Sequence, residues 1–187
     1  MRFEIGNYTL DVDVERTRRA YRDMPLTSEG CSCVACQNYS EAIGTLPDET
    51  RRFFDSLGME MRKASEVYML DALDDFLVEY GGFYHICGEI VTGESPWVLI
   101  GENKRAMTFH LDKNRMVTVD SRLKVGFRAE CDLLPKGFPA PCFQMEISAH
   151  LPWLLGGESL AAYIGKSSRH KTILNRLNSG IKALFKK

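Results

Sequence analysis

Phe143-Gln144-Met145-Glu146-Ile147-Ser148-Ala149-His150 alternates apolar and polar side chains along its whole length. Successive strand side chains point to opposite faces, so this octet is a strand with one apolar and one polar face. The same period runs upstream. Val125, Phe127, Ala129 and Cys131 alternate with Lys124, Arg128 and Glu130, and Val117 and Val119 precede them. Met107, Phe109 and Leu111 alternate with Thr108 and His110, and Asp112-Lys113-Asn114 turns the chain. The proline-bearing segment Pro135–Pro141 cannot lie inside a strand and connects the last two. An antiparallel meander with one wet face favours helices packed on the other, which makes the fold class α+β.

The first half supplies the helices. Phe3 and Ile5, then Tyr8, Leu10 and Val12, alternate around Gly6-Asn7, a pair suited to a hairpin turn. Residues 15–24 are Arg-rich and form a polar helix or an irregular approach to Pro25, and residues 25–30 form a loop. A short helix is expected over 37–44, starting at or just after Cys36. A second follows Pro47, with Asp48 and Glu49 in its first turn, Phe53, Phe54 and Leu57 on one face, and Gly58 beyond its end. Residues 60–65 form a further turn of helix before Val67. Residues 76–92 return to strand, where the adjacent Gly81 and Gly82 mark a bulge, a bend or a close backbone approach. Past them Phe83, His85 and Cys87 point one way, while Tyr84, Ile86 and Ile90 point the other.

The charge divides the chain. After Glu158 there are seven basic residues and no acidic one, so the overall net charge of −1 leaves −8 on the preceding residues. The expected organisation is an α+β domain over 1–157 and a basic arm over 158–187. Within the arm Ile173, Leu174, Leu177, Ile181, Leu184 and Phe185 fall at helical spacing, an amphipathic helix over 170–185. Such a helix covers the protein's own core, joins two copies, or docks on an unidentified protein partner or an anionic membrane surface. Nucleic acid is disfavoured because the acidic body repels the same polyanion. No apolar run approaches the roughly 20 residues of a membrane span. The opening residues show no apolar core and no cleavage site of a leader, which points to the cytoplasm.

The chemistry concentrates in Cys31-Ser32-Cys33-Val34-Ala35-Cys36-Gln37-Asn38-Tyr39, which holds half of the six cysteines. Reduced, clustered cysteines point to metal or catalysis more than to staples. Thiolates are soft ligands that suit zinc, iron–sulfur clusters or copper(I). The two-residue gap of Cys33 and Cys36 lets one tight turn present both sulfurs to an ion, and Cys31 adds a third. A structural zinc takes four ligands, so the fourth must come from His85, Cys87, His110, Cys131, Cys142 or His150. His85 is preferred, since the double glycine before it admits another segment closely. A zinc-type ion held by Cys31, Cys33, Cys36 and His85 is the resulting expectation. Two other readings use the same residues. Cys33 and Cys36 could cycle as a disulfide if one capped the following helix. Or the cysteines are small, reduced, half-buried side chains without chemistry.

The string Cys31-x-Cys33-x-x-Cys36-x-Asn38-Tyr39 resembles the CxCxxCxN-aromatic signature of a family of uncharacterised bacterial proteins. Glu66-Val67-Tyr68, Tyr80-Gly81-Gly82-Phe83-Tyr84-His85 and Pro152-Trp153 resemble that family's later landmarks in the same order, with Phe83 in place of a tryptophan. The resemblance covers residues 20–155 and implies that the cysteines group with the strand carrying His85. It implies no reaction. The sequence therefore points to a protein built around a structural metal site and acting as a binding or interaction module. The alternative is an enzyme, either a metal-dependent hydrolase with an open metal position or a thiol–disulfide oxidoreductase using Cys33 and Cys36.

Overall fold

The computed structural model describes residues 1–103, 106–157 and 159–165. The amphipathic helix expected over 170–185 lies outside the described residues. The chain opens with the hairpin β1 (Arg2–Ile5) and β2 (Tyr8–Val12), joined at Gly6-Asn7 as the turn pair predicts. Helix α1 (Val14–Asp23) follows, capped by the Asp13 carboxylate, which accepts from the Arg16 amide at 3.0 Å. Residues expected as a plain loop contain one helical turn, α2 (Thr27–Gly30). Helix α3 (Val34–Ala42) begins earlier than its apolar pattern indicates, and α4 (Asp48–Ser56) begins directly after Pro47. Residues 60–65 form a turn and no helix.

The remaining strands are β3 (Glu66–Ala72), β4 (Leu77–Thr92), β5 (Trp97–Asn103), β6 (Ala106–Leu111), β7 (Val117–Asp120), β8 (Leu123–Arg128) and β9 (Cys142–Pro152). Strand β5 has no alternating text, so the sequence does not announce it. Among the described residues it pairs with β6 alone, forming a separate two-stranded ribbon. The other seven strands form one antiparallel sheet, in which β7, β8 and β9 run consecutively and β9 pairs with β4 along its length.

The other edge of β4 is shared. Strand β3 covers residues 78–83 and β2 covers residues 88–92. The gap between them leaves backbone groups that need partners. Helix α1 supplies them: the Tyr21 hydroxyl donates to the His85 carbonyl at 3.1 Å, and Thr17 Oγ1 accepts from the Cys87 amide at 3.0 Å. The Asp13 amide donates to the Cys87 carbonyl at 2.9 Å. The double glycine does not interrupt β4, which is continuous through it. A Cβ on Gly81 would stand 2.4 Å from the Tyr68 ring, and one on Gly82 would stand 2.6 Å from the Glu66 carbonyl. Close approach of β3, among the three readings of this pair, is the one realised.

Register assigns the two sheet faces. Tyr80, Gly82, Tyr84 and Ile86 stand opposite Ala149, Ile147, Met145 and Phe143, and Leu123, Val125 and Phe127 continue the row on β8. This face is fully buried under Tyr39, Ile43, Phe54 and Leu57 of the helical layer. It is the apolar half of the alternating stretches on β8 and β9, whereas that of β6 lies off this sheet, with Met107 and Phe109 exposed. The other face carries Glu79, His85, Gln144, Glu146 and Ser148, all buried. Most of their polar groups pair internally: Gln144 Nε2 donates to Glu146 Oε1 at 2.7 Å, and Arg128 Nε lies 2.9 Å from the same oxygen, though no hydrogen bond among the described residues reaches Glu146 Oε2. Ser148 and Lys113 both bond Glu79. Buried polar groups matched in this way avoid the penalty of unpaired ones. No helix among the described residues is long and apolar enough to cross a membrane.

Candidate metal centre

The cysteine-bearing segment is held from three sides. Thr27 of α2 reaches the segment before β3, its amide donating to the Arg62 carbonyl at 2.9 Å and its hydroxyl to the same oxygen at 3.0 Å. The Ser28 amide donates to Ser40 Oγ on α3 at 3.1 Å. Asn38 and Tyr39 anchor α3 to the sheet. The Tyr39 hydroxyl lies 2.5 Å from that of Tyr84, which donates onward to the Met61 carbonyl at 2.6 Å, so Tyr39 is the donor of the pair. These anchors are the last two residues of the cysteine motif.

Cys33 is the N-cap of α3. Its backbone is extended, and its Sγ accepts from the Cys36 amide at 3.4 Å, as a capping oxygen does at other helix starts. Cys36 therefore lies inside the first turn and is buried, while Cys31 and Cys33 are exposed. The three sulfurs lie within 4.8 Å of one another. A tetrahedral ion with sulfurs about 2.3 Å away holds neighbouring sulfurs about 3.8 Å apart, so small rotations of the side chains would let all three bind one ion.

The protons on this trio are unequally held. Hydrogen bonding from the Cys33 backbone amide, and then from the Cys33 and Cys36 thiols, lowers the pKa of Cys31. Burial, and then the two neighbouring sulfurs, push the Cys36 thiol well up. Cys31 thus ionises ahead of Cys36, next to the positive end of the α3 dipole. Three adjacent thiolates would repel one another strongly, so loss of the remaining protons calls for a bound cation.

A cavity of about 230 Å³ adjoins the trio, bounded by Cys31, Cys36, Ser65, Glu66, Val67 and Pro135 among others. A larger concavity, about 660 Å³, opens at Asp11, Arg16, Gly88 and Pro141 and holds none of the cysteines. The chemistry of the donor groups, and not the size of the hollow, singles out the smaller one.

His85, expected as the fourth ligand, is not brought to the sulfurs. It lies on the sheet face opposite Tyr80 and Tyr84, whose hydroxyls meet the helical layer. Both ring nitrogens are engaged. Nε2 lies 3.0 Å from the Asp132 carbonyl, which can only accept, so Nε2 carries the proton. Nδ1 then accepts from Ser65 Oγ at 2.9 Å. Burial lowers the imidazole pKa, which keeps the ring neutral in this role. His110, His150, Cys87, Cys131 and Cys142 do not join the trio either; among the described residues Cys31, Cys33 and Cys36 are the one such group. Ser65 has no motif to announce it and Glu66 stands only in the Glu66-Val67-Tyr68 landmark; the fold of β3 onto β4 brings both to the cavity. Compared with family models, curated proteins and solved structures, the chain matches none.

Proposed function

We propose that this protein is a metal-binding module in which the thiolates of Cys31, Cys33 and Cys36 hold one zinc-type ion. The observation that carries the reading is the approach of three sulfurs within 4.8 Å at a helix start. Three thiolates and one tight turn are a donor set suited to a soft ion. The fourth position faces the cavity beside Ser65 and Glu66 and takes an external ligand, because no fourth protein group of the described residues joins the trio. Of the three cysteines only Cys36 joins the buried core, while Cys31 and Cys33 are exposed, so the ion serves recognition more than folding. The CxCxxCxN-aromatic resemblance supports the same grouping, with Asn38 and Tyr39 as supports of the site.

A second reading rests on the unequal thiols. An exposed Cys31 that ionises readily, beside a buried Cys36 that does not, is the asymmetry of an attacking and a resolving thiol. In that reading Cys31 and Cys36 carry the exchange, in place of Cys33 and Cys36.

The test is metal analysis with thiol counting on protein purified without chelator and then offered zinc. About one zinc per chain is expected, lost in Cys33→Ser and kept in His85→Gln. A wild type that takes no zinc while all six thiols react would overturn the metal reading. A Cys31–Cys36 disulfide that forms reversibly in its place would establish the second.

A further inference from the structure

The six cysteines divide into two groups in the fold, and the second group has a different geometry from the first. Cys87 and Cys142 are register partners on β4 and β9, and Cys131 lies in the connection between β8 and β9. Cys131 Sγ and Cys142 Sγ are 3.8 Å apart, and both side chains are partly exposed. That is van der Waals contact between sulfurs, and closing it to the roughly 2.05 Å of a bond takes about 1.8 Å of movement. Cys87 is poorly placed to compete. Residues directly opposite on antiparallel strands hold their Cβ atoms about 4.5–5.5 Å apart, beyond the usual span of a disulfide. Its Sγ instead approaches the Pro139 carbonyl at 3.8 Å, and the side chain is fully buried.

We infer that Cys131 and Cys142 are an oxidation site, joined by an intramolecular disulfide when the protein meets a low-molecular-weight disulfide oxidant. Cys142 Sγ attacks one sulfur of the oxidant and expels the other as a thiolate, leaving a mixed disulfide on Cys142. Cys131 Sγ then attacks the Cys142 sulfur and expels the second thiolate. The two protons of the cysteines end on the two released thiols, so the protein loses two electrons and the oxidant gains them. Burial, and then the adjacent Cys142, push the Cys131 thiol up to about 12, so Cys131 is a poor thiol to open the exchange and is given the closing, intramolecular step.

The bond would pin both ends of the connection from Cys131 to Cys142. That connection has specific contacts: the Asp132 amide donates to Gln144 Oε1 at 2.7 Å, and its carbonyl holds His85. Phe138 meets the rings of Tyr21 and His85 at 6.4 and 5.6 Å, and Pro135 lines the cavity beside Cys31 and Cys36. Oxidation thus fixes one wall of that cavity, whether or not an ion binds the first trio.

The experiment uses the full chain treated with excess oxidised glutathione, alkylated, digested without reduction and mapped by mass spectrometry. A peptide pair joined through Cys131 and Cys142 is expected, in the wild type and equally in Cys31→Ser/Cys33→Ser, so failure of the metal reading leaves it unaffected. Cys131→Ser should abolish the joined pair while Cys87 stays free. The inference is overturned if Cys131 and Cys142 remain alkylatable after treatment. It is overturned equally if Cys142 is found joined to Cys87 or to a second chain.

Discussion

The side-chain amide of Asn38 donates to the Tyr80 hydroxyl at 3.2 Å, joining the middle of α3 to the first residues of β4. The same amide donates to the Pro152 carbonyl at 3.1 Å, and Asn38 Oδ1 accepts from the Leu154 amide at 2.7 Å. Asn38 is fully buried, so these bonds replace all of its water contacts. One side chain thereby fixes the cysteine-bearing helix to both central strands of the sheet.

Asn38→Ala should therefore cost more than a surface deletion, because it leaves Pro152 and Leu154 backbone groups without their partner. A loss of about 2–3 kcal/mol is expected from the usual penalty for buried unpaired groups. Urea unfolding of the two proteins measures it. A loss below about 0.5 kcal/mol would mean that water replaces the amide freely.

The two glycines of β4 should respond unequally to alanine. At Gly82 the added methyl meets the Glu66 carbonyl of the paired strand, which cannot move without breaking the ladder. At Gly81 it meets the ring of the partly exposed Tyr68, which can swing away. Gly82→Ala should lose about 2–3 kcal/mol and Gly81→Ala about 1 kcal/mol, within the usual range for overpacking. Equal losses, or the reverse order, would contradict this account of the pair.

His85 predicts a pH dependence of stability. Burial holds its folded pKa below the ordinary 6.5, so the unfolded chain takes up the proton first as pH falls. Stability is fully present above pH 6.5 and declines between that value and the lower folded one, by at most about 1.4 kcal/mol per pH unit. Glu146 works in the opposite sense, since burial raises its pKa, but it is common to wild type and variant. His85→Gln should therefore be the less pH-sensitive protein between roughly pH 7 and 5. Parallel stability curves for the two would refute the assignment.

Cys31 predicts a pH profile of reactivity. Its thiolate is held first by the Cys33 backbone amide, and the Cys33 backbone has φ −69°, which proline can adopt. Iodoacetamide should modify Cys31 ahead of Cys36, with a midpoint below that of an ordinary thiol. Cys33→Ser keeps the amide donor and Cys33→Pro removes it, so the proline variant should have the higher midpoint for Cys31. Peptide mapping at a series of pH values reads both. Identical midpoints in the two variants would show that the backbone donor is not what favours the thiolate.

Much of the fold is written locally. Period-two alternation in β2, β6, β8 and β9 sets which side chains share a face, because the pleat alternates regardless of what lies across it. The same holds for Pro47 and Asp48 at the start of α4 and for Gly6-Asn7 between β1 and β2. Strand β5 escaped because Trp97-Val98-Leu99-Ile100 has no alternation, and an apolar run of that length fits helix and strand alike. The start of α3 is not legible in the sequence, because its first turn is capped by a cysteine, a residue that by itself carries no start signal.

The proximity of the three sulfurs follows from sequence alone, since Cys31, Cys33 and Cys36 span a single turn and one helix start. What completes or surrounds them does not. The alternation already separates His85 from Tyr80 and Tyr84, but only packing decides which of those faces receives α3. Packing gives α3 to the tyrosines, whose hydroxyls find partners in the helical layer, and leaves His85 to Ser65 and Asp132. Contacts between residues far apart in the chain depend on sheet register and on buried hydrogen bonds, and neither is encoded at any one position.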